Sequence, residues 1–394
     1  EYLADSKQRL EKIVKDCDEG LPFQPPTSIK AFKDYCKSLG IEPPASTADD
    51  DFRFQNWLEK NLNGPVATWV RIMQRRRSAN RTLKVLDSIK SRINDQGRMV
   101  YELKYFGANP GRWSGGGGLN IQNLNRGEVE GIDLRANFCA APGKILGIVD
   151  YAQIESRVVL FLAGDLDTLE LLKDGMDIYE AHARATMGYN DPRPLKEVDK
   201  GMRQLAKARV LGLGFGCGSK KFIEVARIMG GIEISFEESE RIVREYRDTN
   251  PKVIALWSRL EDCFRKCHGK DYHLALPCNR LNPSMRRHLI YRNVDAETMS
   301  CDVAGDRVNV YGGRLTENWT QATARDVLAS AWLRCHAAGY SPVMSVHDEL
   351  VFELDERTAG EDLEKILDIM EAPRPWAPVL PLKAEGHLAQ KYEK

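Results

Sequence analysis

Ile145-Leu146-Gly147-Ile148-Val149-Asp150-Tyr151-Ala152-Gln153-Ile154-Glu155 runs from an apolar strand-like stretch straight into two carboxylates. About two hundred residues later, Val343-Met344-Ser345-Val346-His347-Asp348-Glu349 repeats the arrangement. A carboxylate at the edge of a buried strand is costly unless its charge is compensated. Two of them brought together by folding repel, unless a divalent cation lies between. Hard oxygen ligands of this kind suit Mg²⁺. Two Mg²⁺ ions clamped by shared carboxylates form a device for in-line phosphoryl or nucleotidyl transfer.

A chain of 394 residues is long enough for two or three subdomains. Its hydrophobic content of 42% is ordinary for a soluble protein. No apolar run approaches a membrane span, and no signal-peptide pattern opens the chain. Nine scattered cysteines fit reduced thiols in a cytosol-like compartment. Cys263, Cys267, His268 and Cys278 lack the spacing of a common zinc finger, which sets a zinc reading aside. The chain opens at Glu1 rather than Met, as a processed, trimmed or excised piece would, and the sequence leaves open whether an upstream domain belongs to it.

With 57 basic and 57 acidic residues the formal charge is zero. Any phosphate binding must therefore come from local patches. One candidate is Arg75-Arg76-Arg77 with Arg81; another is Arg203, Lys207 and Arg209, with Lys220-Lys221 beyond. A bare charge run is more often a solvated helix face. The second patch is interleaved with other chemistry: Arg203, Lys207, Leu211 and Phe215 recur every four residues. On a helix each step of four advances about 40°, so these form a drifting stripe on one face. Two cations followed by two apolar groups suit a nucleotide, triphosphate at one end and sugar and base at the other. Gly212, Gly214, Gly216 and Gly218 match neither phosphate-loop nor dinucleotide spacing. They read better as sites of close approach or a mobile helix end.

The coarse pattern divides the chain. Residues 1–100 read as helices (6–17, 28–39 and 69–93), with Asp49-Asp50-Asp51 as loop or cap charge. Residues 101–163 carry a strand-like alternation at 101–106, a Gly115–Gly118 loop that would let a nucleic-acid strand approach, and the strand-turn-helix around Asp150. Residues 164–262 are helical again. Residues 263–394 contain short strands, a helix over 317–338, a hairpin over 340–354 with His347-Asp348-Glu349 near its turn, and a closing helix over 361–370.

Asp150-Tyr151-Ala152-Gln153-Ile154-Glu155-Ser156-Arg157-Val158 resembles motif A of the family A DNA polymerases. Arg203-x3-Lys207-x7-Phe215-Gly216 resembles their motif B, and Val346-His347-Asp348-Glu349-Leu350 their motif C. Gly111-Arg112-Trp113-Ser114 with Gln122-Asn123-Leu124, and later Glu317-Asn318-Trp319-Thr320-Gln321, are similar to the family's primer-template contact segments. Five motifs in the family's order, over roughly residues 75–390, make chance a poor explanation. The segment Asp177-Ile178-Tyr179-Glu180-Ala181-His182 looks most like bacteriophage members.

The resemblance implies an α+β right-hand polymerase fold. Its parts would be a helical thumb (within residues 1–100), a palm with an antiparallel sheet (101–163 and 263–394) and helical fingers (164–262). It implies a template-directed DNA polymerase, working in phage DNA replication and in the host cytoplasm. Deoxynucleotides would be added to a primer 3′-hydroxyl, with two Mg²⁺ as cofactors and pyrophosphate released. Asp150, Asp348 and the Tyr151 carbonyl would hold the metals, and Glu349 would support them. Arg203 and Lys207 would hold the triphosphate, Lys207 also protonating the leaving pyrophosphate. Gln153 would shape the nucleotide site, and Glu155 would exclude a ribose 2′-hydroxyl. Phe215 would stack in the template-base position. Arg81 and Thr82 would hold the duplex from the thumb. Arg112, Gln122, Asn123, Gln321 and His347 would read the backbone and minor-groove edge of the newest pair. The partners would be primer-template DNA and deoxynucleoside triphosphates, with a helicase, a single-strand-binding protein and a separate exonuclease as possible replisome companions, and no membrane.

Four departures accompany the resemblance. Leu211 stands where Phe or Tyr is usual beside the incoming sugar. Tyr179 replaces a usual His near the triphosphate, with His182 one turn later as a substitute. Glu317 stands where Asn is common. Residues 286–316 read as an inserted hairpin. Nothing before residue 100 resembles the family's proofreading exonuclease. A single-subunit RNA polymerase is the enzymatic alternative, and Glu155 argues against it. A scaffold that binds nucleic acid without catalysis is the other, and retention of Asp150, Asp348, Arg203 and Lys207 argues against that.

Overall fold

The computed structural model describes residues 2–48, 51–61, 64–124, 127–173, 175–281 and 287–393, apart from the side chains at 52 and 65. Asp49, Asp50 and residue 286 of the expected hairpin lie outside this set. The chain forms two compact units. The first comprises residues 1–102, 115–139 and 391–394; the second comprises 103–114 and 140–390.

The first unit is helical: α1 (Tyr2–Glu19), α2 (Ile29–Ser38), α3 (Phe52–Lys60) and α4 (Pro65–Lys90). The Ser28 hydroxyl accepts from the Ala31 N–H at 3.1 Å and caps α2. Phe23, Phe32, Phe54, Val66 and Val70 make one core, and Leu10, Ala79, Leu86, Ile132 and Leu134 another. The Arg75–Arg77 run is spent inside this unit. Arg75 pairs with Glu130 at 2.7 Å, Arg76 with Asp18, and Arg77 donates to the Thr47 carbonyl at 2.6 Å. The glycine loop is closely approached by its own unit. A Cβ on Gly115 would lie 2.3 Å from the Asn120 Cα, so the close approach expected of a nucleic acid is made there by protein.

Leu103–Lys104 (β1) and Ser114–Gly115 (β2) are two-residue strands. The alternation over 101–106 thus yields less strand than expected. Phe106 takes a positive φ of 56°, which breaks the extended run before the Pro110-Gly111 turn.

In the second unit β3 (Lys144–Tyr151) leads into α5 (Ile154–Ala163). The helices α6 (Leu166–Lys173), α7 (Ile178–Thr186), α8 (Leu195–Val198), α9 (Lys200–Ala208), α10 (Ser219–Val225), α11 (Phe236–Thr249) and α12 (Pro251–Arg265) follow. Next come β4 (Tyr272–Ala275), β5 (His288–Asp295), β6 (Ser300–Val303) and β7 (Asp306–Asn309), then α13 (Gly312–Ala337). The hairpin β8 (Pro342–Val346) and β9 (Glu349–Asp355), α14 (Ala359–Glu371) and β10 (Ala384–Ala389) close the chain. One antiparallel sheet has the order β10-β3-β9-β8 and another β4-β5-β6-β7. The expected insertion is therefore a three-strand meander, and residues 312–316 belong to α13 rather than to a hairpin. Val149, Tyr151, Leu350, Phe352 and Leu354 share one buried cluster with Val327, Leu328 and Ala331 of α13. This packing anchors the acidic strand ends in the molecule's largest core.

Candidate active site

Antiparallel pairing places Asp150 directly opposite Glu349, and the Tyr151 N–H donates to the Asp348 carbonyl at 3.3 Å. The two acidic segments, far apart in sequence, are thus neighbours across one pair of strands. His347, in the turn, has a positive φ of 55° and is exposed; Asp348 is half-buried and Glu349 buried. The donor set of Asp150, Asp348 and the Tyr151 carbonyl is all oxygen, which fits Mg²⁺. Among the described residues, no group of three or more His, Cys, Asp or Glu side chains gathers as a metal cluster. Cys278 instead lies with its Sγ 3.0 Å from Asp326 Oδ2.

Motif A continues into a left-handed Gln153 (φ 47°), from which α5 departs. Glu155, in the first turn of α5, is ion-paired with Arg112. Glu317 lies near both: burial, then the Glu155 carboxylate, pushes its carboxyl up, while Arg314 and Arg112 oppose the shift. Gln321, one turn along α13, donates to Glu317 at 3.5 Å. Arg112, Glu155, Glu317 and Gln321 therefore form one polar cluster.

In the helical part, Arg203 on α9 pairs with Asp177 at 2.7 Å and lies 5.4 Å from the centre of the Tyr179 ring. Asp177 also caps α7, accepting from the Tyr179 N–H at 2.7 Å. Lys207 is half-buried on the same α9. His182 lies one turn further along α7 than Tyr179. It is buried with its ring 5.7 Å from Tyr246, and burial, then the Arg209 charge, pushes it down to about 3. Arg209 is 1% exposed and pairs with Glu245 at 3.2 Å, so it drops out of the basic patch.

The stripe of four also needs correction. The α-helix ends at Ala208, Arg209–Leu213 form a π-helical turn, and Phe215 lies in the turn beyond. The wider turn changes the angular step, so Leu211 and Phe215 do not continue a regular stripe from Lys207. Glycine at α13's start makes room for Phe215: a Cβ on Gly313 would lie 2.1 Å from the Phe215 carbonyl oxygen. The Trp257 indole N–H donates to the Gly214 carbonyl at 3.1 Å and holds the same loop.

In the first unit, Arg81, Thr82 and Asn123 line a cavity of about 450 Å³ with Ser78, Ser88 and Asn120. Gln122 is buried on the 3₁₀ turn Ile121–Asn123, whose N-cap is Asn120. The sequence reading missed Asp177 as Arg203's partner. Its signal was an Asp immediately before a helix, which reads as a cap and says nothing of a second role.

The sheet, the helices and the paired acidic strand ends have the build of a polymerase domain. The chain belongs to DNA polymerase family A, whose family model matches residues 36–394. It is 27% identical to the DNA polymerase of Bacillus phage SP02, over 95% of this chain and 64% of that one. It is 30% identical to DNA polymerase I of Aquifex aeolicus, over 57% of this chain and 36% of that one. The fold is similar to the polymerase domain of Pol1 from M. smegmatis, solved with DNA primer-template and dNTP: TM-score 0.70 at 20% identity, covering 99% of this chain and 66% of that one. The chain thus spans less than two thirds of the length of these relatives. Among the described residues, no helix is long and apolar enough to cross a membrane.

Proposed function

We propose that this chain is a template-directed DNA polymerase that adds deoxynucleotides to a primer 3′-end. The observation that carries the reading is the meeting of the two acidic segments: Asp150 lies opposite Glu349 across β3 and β9, and the Tyr151 N–H donates to the carbonyl of the adjoining Asp348. Asp150, Asp348 and the Tyr151 carbonyl would hold two Mg²⁺. When bound, the ions lower the pKa of the primer 3′-hydroxyl and stabilise charge on the α-phosphate and the leaving group. The primer 3′-hydroxyl loses its proton to solvent, and its oxygen forms a bond to the α-phosphorus as the bond from that phosphorus to the α–β bridging oxygen breaks. Pyrophosphate leaves, and Lys207 supplies its proton.

Arg203 grips the triphosphate, exchanging the Asp177 carboxylate for phosphate oxygens. Tyr179 lies beneath that guanidinium and sets its height. Gln153 and Leu211 shape the sugar site, Glu155 blocks a 2′-hydroxyl, and Phe215 stacks in the template-base position. Arg112, Gln321 and His347 contact the newest pair, Gln122 and Asn123 read the backbone and minor-groove edge, and Arg81 and Thr82 hold the duplex. Glu349 supports the metal side. Residues 1–100 include the thumb, 101–163 and 263–394 the palm, and 164–262 the fingers. Its companions are other replication proteins, in a phage-infected cell.

Primer extension on a DNA template with Mg²⁺ tests the reading. Extension with deoxynucleotides and little with ribonucleotides is expected. Preferred ribonucleotide use would favour an RNA polymerase. Duplex binding without extension would favour a scaffold.

A further inference from the structure

Tyr151 follows the first proposed metal ligand, yet its side chain is buried in the core, in one cluster with Ile366 and Met370 of α14. There the phenol is fully used. It donates to the Met370 carbonyl at 2.7 Å and accepts from Arg374 Nη2 at 2.7 Å. Arg374 is completely buried, and the same Nη2 also reaches the Met370 carbonyl at 3.0 Å. Nη1 of Arg374 donates to the Ala372 carbonyl. A buried guanidinium with no carboxylate among these partners is an expensive way to fill a core. Its cost is offset only if holding these carbonyls and this phenol in place matters.

The next residues are fastened to the same segment of chain. The Ala152 N–H donates to the Lys383 carbonyl at 2.8 Å. Arg157, 4% exposed, donates from Nε to the Ala152 carbonyl at 3.0 Å and from Nη1 to the Pro381 carbonyl at 3.2 Å. Glu371 closes the segment on itself, accepting from the Ala384 N–H at 3.1 Å and pairing with Lys383 at 2.8 Å. Residues 370–384 are thus a strap against the end of β3 that carries Asp150, bolted to it by two buried arginines.

We infer that Arg374, acting through the Tyr151 phenol, is a positioning residue that fixes the Asp150–Tyr151 end of β3 in its metal-holding geometry. Arg157 does the same from the Ala152 carbonyl, just beyond the strand. A metal site loses affinity when its ligands must be ordered on binding, and outer-shell partners typically account for 10–100-fold in affinity or activity. The inference rests on the polymerase reading for its activity arm, but its metal-binding arm does not.

The test compares Tyr151→Phe, Arg374→Gln and Arg374→Lys with the wild type. Tyr151→Phe keeps the ring and removes only the hydroxyl. Mn²⁺ binding is measured by electron paramagnetic resonance without nucleotide or DNA. The Mg²⁺ dependence of primer extension, primer-template affinity and the unfolding midpoint are measured alongside. Tyr151→Phe should weaken Mn²⁺ binding and raise the half-saturating Mg²⁺ by about fivefold or more. Primer-template affinity should be unchanged. Arg374→Gln should do the same, Arg374→Lys should recover part of the loss, and combining Tyr151→Phe with Arg374→Gln should add little to either. Unaltered Mn²⁺ and Mg²⁺ dependence in Tyr151→Phe overturns the inference, whether or not Arg374→Gln folds. A wild type that binds Mn²⁺ yet extends no primer would instead sink the polymerase reading.

Discussion

Glu155 shows how much one carboxylate can be asked to do. It is half-buried and ion-paired with Arg112, and its charge adds to burial in pushing the Glu317 carboxyl up. A side chain held by an arginine is stiff, and stiffness is what a steric gate against a 2′-hydroxyl needs. Glu155→Ala should therefore raise ribonucleotide incorporation about tenfold, the scale at which a pocket discriminates by shape. It should also weaken primer gripping, because Arg112 loses its partner. Single-nucleotide insertion with matched deoxy- and ribonucleotides checks this; unchanged sugar discrimination would remove Glu155 from the gate. The residue types at this site were legible in the sequence, because hard carboxylates at strand ends have few other uses. The Arg203–Asp177 pair and the burial of Arg209 and His182 were not, since they depend on which helices meet.

At the scale of the element, the helical segment after Arg203 departs most from its sequence pattern. Spacing by fours promised an unbroken helix, but Arg209–Leu213 adopt a π turn. Periodicity reports which residues favour one face and cannot report a local change of pitch. Behind this segment His182 is buried neutral, pushed down to about 3 from an ordinary 6.5. Its folded pKa is depressed. The unfolded state thus takes up the proton first, and stability is lost as pH falls from about 6.5 towards 3. The loss approaches 1.4 kcal/mol per pH unit from this one group. Denaturant titrations between pH 7 and pH 4 should show a steeper fall in the wild type than in His182→Leu; parallel slopes would contradict the burial argument. The start of α13 supplies a second case. A Cβ on Gly313 meets the Phe215 carbonyl oxygen, a backbone atom that cannot swing aside. Gly313→Ala should cost about 1–3 kcal/mol, the range for overpacking. A thermal midpoint unchanged from wild type would show that the loop yields freely.

At the scale of the whole molecule, the order of five motifs carried the fold class, because each marks a different element. The sheet order and the pairing of the two acidic strands agree with it. The grouping of residues 115–139 with the first compact unit was not legible. Contacts across a unit leave no period in the sequence, and Gly115 and Gly116 advertised openness while serving close packing, with Gly117 and Gly118 taking positive φ. Nor did the balanced charge point to a partner; in the Arg75–Arg77 run that looked like a phosphate patch, Arg75 and Arg76 are paired with carboxylates of their own unit and Arg77 is bonded to Thr47. What remains of the functional claim rests on two aspartates. Primer extension by wild type and Asp348→Ala, with primer-template affinity measured on the same preparations, tests it most directly. The account predicts duplex binding within about threefold of wild type and extension reduced about a thousandfold or more, equivalent to roughly 4 kcal/mol of lost transition-state stabilisation. Extension by Asp348→Ala at near the wild-type rate would contradict it.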